Sequence, residues 1–496
     1  MYRTTAKDQM TLDSFILPFG GKLSADNRWV KMAKLMPWDM VEDIYNKTMK
    51  YESKDGRPPI PARIAFGAIY IKGNESITDE KTLEYTMENP YVQYFLGLTE
   101  FRREPLFDLS MMVYFRKRFP AEEVDKINEE LFLRMNGIKG EPPDEDQPDD
   151  PAESEMVEEG NENTDQNEGI LILDATVSPA DIRYPTDLSL LNECRENTEE
   201  AIEELWPHGN KQGHKTMYSR KKARKQYLKV TKQRKPRKGA LQKAIREQLE
   251  YTEKNLETIE KLFDETGDVE IWLKWKERLD TIRTVCEQQR GMLEGKTRSC
   301  EDRIVNLRQP HVRCIVRGKA GTPYEFGQKL SLSVVEGFTF VERRSWDNFN
   351  EGITLIESAE KYKKRHGCWP EAILADTIYR TRENRNFCKE NGIRLSGPRL
   401  GRPKQGEIEA DKQQAYQDSC DRNMVEGRNG IAKRRYGLNR IFAYGDKTAE
   451  TEAAMVILAM NMAWCLRTLL RLIFGQFENV VFGKMWTVNL KVWSFS

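Results

Sequence analysis

The sequence predicts an α/β protein: a mixed-sheet core with an α-helical N-terminal domain before it and a long helical hairpin inserted into it. Three observations predict this. Two short apolar runs, in "GILILDATVSP" and "EAILAD", each lead into an aspartate, Asp174 and Asp376. Such runs read as buried strands, and strand-end carboxylates face the crevice where α/β sheets bind ligands. Between them, "QKLSLSVVEG" and "FTFVERRSW" read as a strand pair turning at Glu336-Gly337. Elsewhere apolar residues recur every three or four positions, the period of a helix packed on one side. A chain of 496 residues exceeds one ordinary core and calls for two to four modules.

Taken in order, residues 1–138 read as helical. "PARIAFGAIYIKG" is an apolar helix, "TDEKTLEYTMENPYVQYFLGL" opens on a Thr/Asp cap and is interrupted at Pro90, and "LFDLSMMVYFRKRFP" has helical spacing. Residues 139–169 read as an acidic, disordered linker, poor in large apolar side chains and rich in Pro, Asp and Glu. A strand follows, ending at Asp174. Further along, Leu241, Ile245, Leu249, Leu256, Ile259 and Phe263 make one stripe, and Trp272, Trp275, Leu279, Ile282 and Cys286 another. Two long helices joined at "DETGD" would present these seams to each other. The first arm carries the basic block, kinked or broken at Pro236. After the strand pair come a polar helix, "NEGITLIESAEKYKKRHG", the strand leading to Asp376, a charged helical stretch over 405–435 and a final apolar helix, with 481–496 a tail.

Composition narrows the class. The net charge of zero hides segregation: residues 141–168 hold thirteen acids and no base, while 209–246 hold fifteen Lys or Arg and no acid. The basic block suits a polyanion. Eight single cysteines without a CxxC pair, beside four histidines, argue for a reducing compartment and against structural zinc. The opening "MYRTTAKDQM" lacks the apolar core of a signal peptide. The run "AAMVILAMNMAWCLRTLLRLIFG" is interrupted by Arg467 and Arg471, so its uncharged part falls short of the roughly 18–20 residues of a span, and no membrane partner is expected.

A third element can complete a site with the two aspartates. In "RNMVEGRNGIAKRRYG", Arg422, Glu426 and Lys433 are separated by four and seven residues. At roughly 100° per residue they fall within about 40° on one helical face. The same spacing also makes ordinary surface ion pairs. Two Asp and one Glu from separate elements can hold two divalent ions at a phosphate, and Mg²⁺ suits a few carboxylates supplemented by substrate oxygens. Arg422 and Lys433 would grip neighbouring phosphates. Other chemistries lack their residues. "DAT" has no second Asp for an aspartyl-phosphate enzyme, "RGMLEGKT" is one residue short of a P-loop, and neither G-x-S-x-G nor H-E-x-x-H occurs.

With these residues in place, the sequence resembles bacterial insertion-sequence transposases of the DDE type, and more closely the insertion-sequence-four/five superfamily with its ribonuclease-H-like catalytic core. The likeness is carried in order by "ARIAFGAIYIKGNESITDEKTLEYTMENPYVQYFLGL", "LILDATVSPADIRYPTDLSLLNECRE", "PHVRCIVRGKAGTPYEFGQKLSLSVVEGFTF", "ILADTIYRTRENRNFCKENGIRLSGPRLGRP" and "RNMVEGRNGIAKRRYGLNRI". It implies a ribonuclease-H-like mixed-sheet core over 170–200 and 300–480, with 201–299 as an insertion between its first and second strands, and DNA-end binding by residues 1–138. Asp174, Asp376 and Glu426 would be the catalytic and metal-binding triad, using Mg²⁺ with Mn²⁺ as a substitute. Arg422 and Lys433 take the phosphate-contacting places of the family's Tyr-Arg-Glu-Lys pattern, with Ser419 where its Tyr is expected and Tyr416 three residues further back. Basic residues Arg434 and Arg435 on the same helix, and Arg220, Lys221, Lys222, Arg224 and Lys225 in the insertion, would track DNA.

The expected partners are double-stranded DNA, as terminal inverted repeats and as target, and a second copy of the chain once assembled on DNA. The expected setting is the cytoplasm, at the nucleoid. Two other readings stand beside this one. A DNA-binding protein that has lost catalysis would keep its cellular function after Asp174→Ala. A ribonuclease-H-like nuclease without strand transfer would release cut DNA and join none.

Overall fold

A computed structural model describes residues 11–17, 20–49, 59–137, 166–206, 220–267, 269–317, 323–398 and 407–481. Most of the expected acidic linker and all but the first residue of the 481–496 tail lie outside these residues. Seven helices open the chain: α1 (Arg28–Leu35), α2 (Trp38–Thr48), α3 (Ala62–Glu75), α4 (Asp79–Glu88), α5 (Pro90–Phe95), α6 (Met111–Arg118) and α7 (Ala121–Met135). The caps are those the sequence offers. Thr78 accepts a hydrogen bond from the Lys81 amide at the start of α4, and Asn89 caps α5. Pro90 takes the first helical position, where its missing N–H costs nothing, so the interruption is a restart.

Strand β1 (Ile170–Pro179) leads to helices α8 (Asp187–Leu205), α9 (Arg220–Thr231), α10 (Lys238–Thr266) and α11 (Val269–Glu294). Strands β2 (Arg313–Val316), β3 (Tyr324–Val335) and β4 (Phe338–Ser345) follow, then α12 (Leu355–His366), β5 (Ala372–Leu374), α13 (Arg382–Glu390) and β6 (Arg394–Leu395). The long helices α14 (Glu407–Arg435) and α15 (Asp446–Val481) come last.

The six strands form one mixed sheet in the order β2-β3-β1-β5-β6, with β4 also on β3. β1, β2 and β4 run antiparallel to β3, whereas β1, β5 and β6 are mutually parallel. The β3–β4 hairpin turns at Glu336 and Gly337, both with positive φ (51° and 83°), the backbone a tight two-residue hairpin demands. One expectation is overturned. β1 does not end at Asp174: its ladder with β3 continues to Pro179 opposite Gly327. A Cβ at Gly327 would lie 2.2 Å from the Ser178 carbonyl oxygen, so the close approach needs glycine there. Asp174 looked like a strand terminus only because the partner strand was not in view.

The apolar C-terminal helix finds its place here. Between Met455 and Met462, α15 is buried, and the helix packs against α3, α6, α7 and β4. Among the described residues no helix is long and apolar enough to cross a membrane. The N-terminal helices and the sheet share one hydrophobic cluster, in which the Phe132 ring of α7 packs edge-on against Phe338 and Phe340, each at 5.2 Å.

The insertion has its own core. Leu188, Leu191, Cys194 and Ile202 of α8 pack with Ile245, Leu249 and Ile259 of α10 and with Leu279 and Ile282 of α11. Arg195, 1 % exposed, is held by Gln248 (3.0 Å), Asn192 (2.9 Å) and the Glu199 carboxylate. The two long expected helices are α10 and α11, and the break expected at Pro236 is present. The basic segment forms a helix of its own, α9, which stops at Thr231, and a new helix starts two residues after Pro236. A proline inside a continuous helix would remove one backbone hydrogen bond and clash with the preceding turn, so of kink and break the chain takes the break.

Candidate active site

Asp174 sits at the middle of β1, where parallel pairing with β5 has just ended. The register runs Ile170–Ala372, Leu171–Ile373, Ile172–Leu374. Asp376 follows two residues after β5, at the start of a short 3-10 turn, and its charge bears on the Asp174 carboxyl. The sheet face of Ile172 and Leu374 is covered by α14, whose Val425 joins Ile172, Val334, Ala372 and Leu374 in a small buried cluster. Packing Val425 there brings the next helical face, with Arg422 and Glu426, over the two aspartates.

The contacts follow from this placement. Arg422 donates from Nη1 to Asp376 Oδ1, and its Nη2 lies 3.6 Å from Glu426 Oε1. Asn429, also on α14, donates from Nδ2 to Asp174 Oδ2 at 2.8 Å. Strand β1, the segment after β5 and helix α14 are therefore tied together at their polar ends. Asp376 and Glu426 reach solvent, with side chains 55 % and 60 % exposed, so the site opens outward. Asp174 is more enclosed. Burial pushes its carboxyl up to about 6, with the nearby Glu351 and Asp376 carboxylates adding to the rise and the Ala175 amide and Arg422 opposing it. A proton or a cation is what this acid lacks.

Two further ties fix α14. Beyond its end, the Ile441 amide bonds the Pro179 carbonyl at 2.8 Å and Asp181 bonds back to Ile441 at 2.9 Å, clamping the loop to the end of β1. On the inner face, the buried Arg428 guanidinium donates to Thr339 Oγ1 (3.1 Å) and Asn461 Oδ1 (2.7 Å). Burial, and then the charge of Arg467, lower its pKa to about 10.

The other expected residues lie further out. Lys433 is half-buried one turn beyond Asn429, and Arg434 and Arg435 are exposed. Ser419 is exposed, and Tyr416 is 73 % exposed and absent from the carboxylate contacts. On α9, Lys221, Lys222, Arg224 and Lys225 project into solvent, while Arg220 is engaged by Glu199 (3.2 Å) and Glu203 (2.6 Å). Sequence reasoning missed Asn429, Glu351 and Arg428. For Asn429 the available signal was its spacing: seven residues after Arg422, it falls about 20° from it around the helix.

The oxygen-only donor set of Asp174, Asp376 and Glu426 fits a hard divalent cation. Among the described residues no three His, Cys, Asp or Glu side chains stand together as a closed metal cluster, and Arg422 occupies the Asp376 carboxylate.

Two transposase family models match parts of the chain. The family described as Transposase DDE domain matches residues 373–463, which contain Asp376 and all of α14. The family described as Transposase domain (DUF772) matches residues 18–118, within the N-terminal helices. A Rhizobium meliloti protein described as uncharacterized, ORF8 in the nfe locus, is 28 % identical over 187 residues, 37 % of this chain and 73 % of that protein. No solved structure matches. With the DDE domain identified, the mixed sheet is the ribonuclease-H-like core of such enzymes.

Proposed function

We propose that this chain, an insertion-sequence DDE transposase, cuts and joins the ends of its element with Asp174, Asp376 and Glu426 as its catalytic carboxylates. The observation that supports the reading is that α14 contacts both aspartates, Arg422 on Asp376 and Asn429 on Asp174, and carries Glu426 beside Arg422. The three carboxylates would hold Mg²⁺, or Mn²⁺ in its place. When bound as a pair, such ions supply charge to the phosphate and acidify the attacking oxygen.

The side chains do the positioning. Arg422, now on Asp376, is placed to transfer its planar fork to a DNA phosphate once the carboxylate is otherwise compensated. Lys433, about two turns from Glu426, adds a second phosphate contact on the same face. The reaction is hydrolysis of the phosphodiester at the element's end, freeing a 3′-OH, and then attack of that 3′-OH on target DNA. Holding both strands in line lowers the barrier more than any covalent step by the protein.

Lys221, Lys222, Arg224 and Lys225 of α9 form a basic arm for the DNA backbone, and the N-terminal helices read the terminal repeats. Two copies of the chain, one per end, make the assembled complex at the nucleoid. The test is incubation of the full chain with a plasmid carrying both element ends, with Mg²⁺ or with EDTA. Cut and joined products that require Mg²⁺ support the reading. Cut DNA that is never joined would indicate a nuclease, and end binding without chemistry a binding protein.

A further inference from the structure

The segment that leaves α14 carries side chains the carboxylate site does not use. From Arg440 to Tyr444 it passes beside the end of β1, bridged to it at Ile441–Ala180, and burial alternates residue by residue as on a strand. Ile441 and Ala443 are buried, whereas Phe442 and Tyr444 stand 51 % and 55 % exposed. Arg440, also outward, holds its guanidinium over the Phe442 ring, 5.2 Å from the centre. The inward residues clamp the segment. The Ile441 amide donates to the Pro179 carbonyl (2.8 Å), the Asp181 amide to the Ile441 carbonyl (2.9 Å), and the Ala443 amide to Glu452 Oε2 (3.0 Å). Glu452 is itself tied to Lys72 of α3.

Isolated exposed aromatics are ordinary. Two on one edge of a clamped segment, with a cation over one of them, make a rigid apolar face. Its surroundings are positive. Arg434 and Arg435 are exposed on the last turn of α14, and Lys81 is exposed across a cavity of about 200 Å³ that Arg440, Phe442, Ser76 and Thr78 also line. Against these cations stand the exposed Asp446 and Asp181, the latter paired with Arg440 at 2.7 Å. Flat rings inside a net positive patch suit a strand of nucleic acid, whose phosphates take the cations and whose bases take the rings. A second copy of the chain would leave the cations without counter-charge. Spacing agrees as well. Residues two apart on a strand lie about 6.7 Å apart, close to twice the roughly 3.4 Å between successive bases of one DNA strand. The two ring positions therefore match one base taken between them.

We propose that Phe442 and Tyr444 form a stacking platform for an unpaired base of the DNA, with Arg440 backing Phe442 and with Lys81, Arg434 and Arg435 on the neighbouring phosphates. This rests on the reading of Asp174 as part of the centre that cuts DNA. Ala180, the bridge partner of Ile441, follows Asp174 by six residues, which places the platform about 20 Å from that carboxylate, or about six nucleotides along a strand. A base held there fixes the register of the strand at the carboxylates. It does so for any sequence, because every base has a flat face.

The experiment measures binding of the full-length chain to dye-labelled element-end duplexes by fluorescence anisotropy in EDTA. One set carries a short unpaired bubble about four to eight nucleotides from the cut phosphate, and the reference duplex is fully paired. Wild type should bind one of the bubble duplexes more tightly than the paired one. Phe442→Ala combined with Tyr444→Ala should weaken binding to that duplex about 5- to 150-fold and leave binding to the paired duplex unchanged. Phe442→Trp combined with Tyr444→Trp, which keeps flat rings, should bind the bubble at least as tightly as wild type. Equal loss on both duplexes would mean a contact with the backbone alone, and no loss on either would mean that the rings cover something other than DNA; each overturns the proposal. If the alanine pair does not fold, the tryptophan pair decides alone, and weaker bubble binding by it overturns the proposal. Cutting in Mg²⁺ by wild type and Asp174→Asn separates the underlying reading. Wild type that cuts the ends but shows no bubble preference would remove the platform and leave the catalytic centre. Asp174→Asn that cuts like wild type would remove the catalytic centre, and with it the register role proposed for the platform.

Discussion

Asn461 offers a sharp test of how α14 is held. It lies in the long apolar run of α15, is fully buried and has all its hydrogen-bonding groups engaged. Its Nδ2 donates to Asn128 Oδ1 (2.9 Å) and the Thr339 carbonyl (2.7 Å), and its Oδ1 accepts from the Thr339 amide (3.1 Å) and Arg428 Nη2 (2.7 Å). One side chain thus joins α7, β4, α15 and α14. Asn461→Leu keeps the size but strands three groups: the Thr339 N–H, the Asn128 Oδ1 and the charged Arg428 Nη2. The Thr339 carbonyl retains the Asn128 amide as donor, at 3.1 Å. Two neutral orphans and one charged one together cost about 4–6 kcal/mol. That is a large share of the roughly 5–15 kcal/mol that holds a domain together. Asn461→Asp keeps the acceptor for Thr339 and Arg428, supplies the guanidinium with a counter-charge and loses only the donor, so its cost should be about 1–3 kcal/mol. Urea denaturation followed by tryptophan fluorescence would rank the two. Equal destabilisation, or less than about 1 kcal/mol for Asn461→Leu, would refute the claim that this network fixes α14.

Other consequences can be measured independently. Replacing Lys221, Lys222, Arg224 and Lys225 together by Ala should lower the slope of log binding constant against log salt by about 3–4 if each neutralises one phosphate. Arg220→Ala, whose guanidinium is already paired with Glu199 and Glu203, should leave the slope unchanged. His366 is stacked on Tyr362 at 4.1 Å, and burial, with the Arg365 charge beside it, lowers its pKa to about 4. Because the unfolded chain protonates it first, near 6.5, its contribution to stability is intact above that pH and declines as pH falls toward 4. The thermal midpoint should therefore drop less between pH 7 and 4.5 in His366→Gln than in wild type, and equal drops would contradict the assignment.

The sequence disclosed much of this site because its strongest signals are local. An apolar run closing on an acid marks Asp174 and Asp376 whatever the tertiary structure, and the spacing of Arg422, Glu426 and Lys433 needs only a helix to put them on one face. The Glu336-Gly337 turn was equally plain, since few residue pairs tolerate two positive φ angles. What stayed hidden depended on partners distant in the chain. The extension of β1 past Asp174 is visible only beside Gly327. The stripe of α8 could have met the sheet, but it meets α10 and α11 instead. Asn429 and Asn461 read as a solvated helix residue and a blemish in an apolar run, until Asp174 and Arg428 are seen facing them.

The central claim is that Asp174, Asp376 and Glu426 form one catalytic centre. It is tested most directly by strand cleavage on a DNA carrying the element's own ends, in Mg²⁺, comparing wild type with Asp174→Asn, Asp376→Asn and Glu426→Gln at protein concentrations where all four bind the ends equally. The account predicts that each variant loses cleavage and joining by at least about a thousandfold, roughly 4 kcal/mol of barrier, while still binding the ends. Cleavage by any one of the three at the wild-type rate would remove that residue from the centre, and cleavage by all three would place the chemistry elsewhere in the molecule.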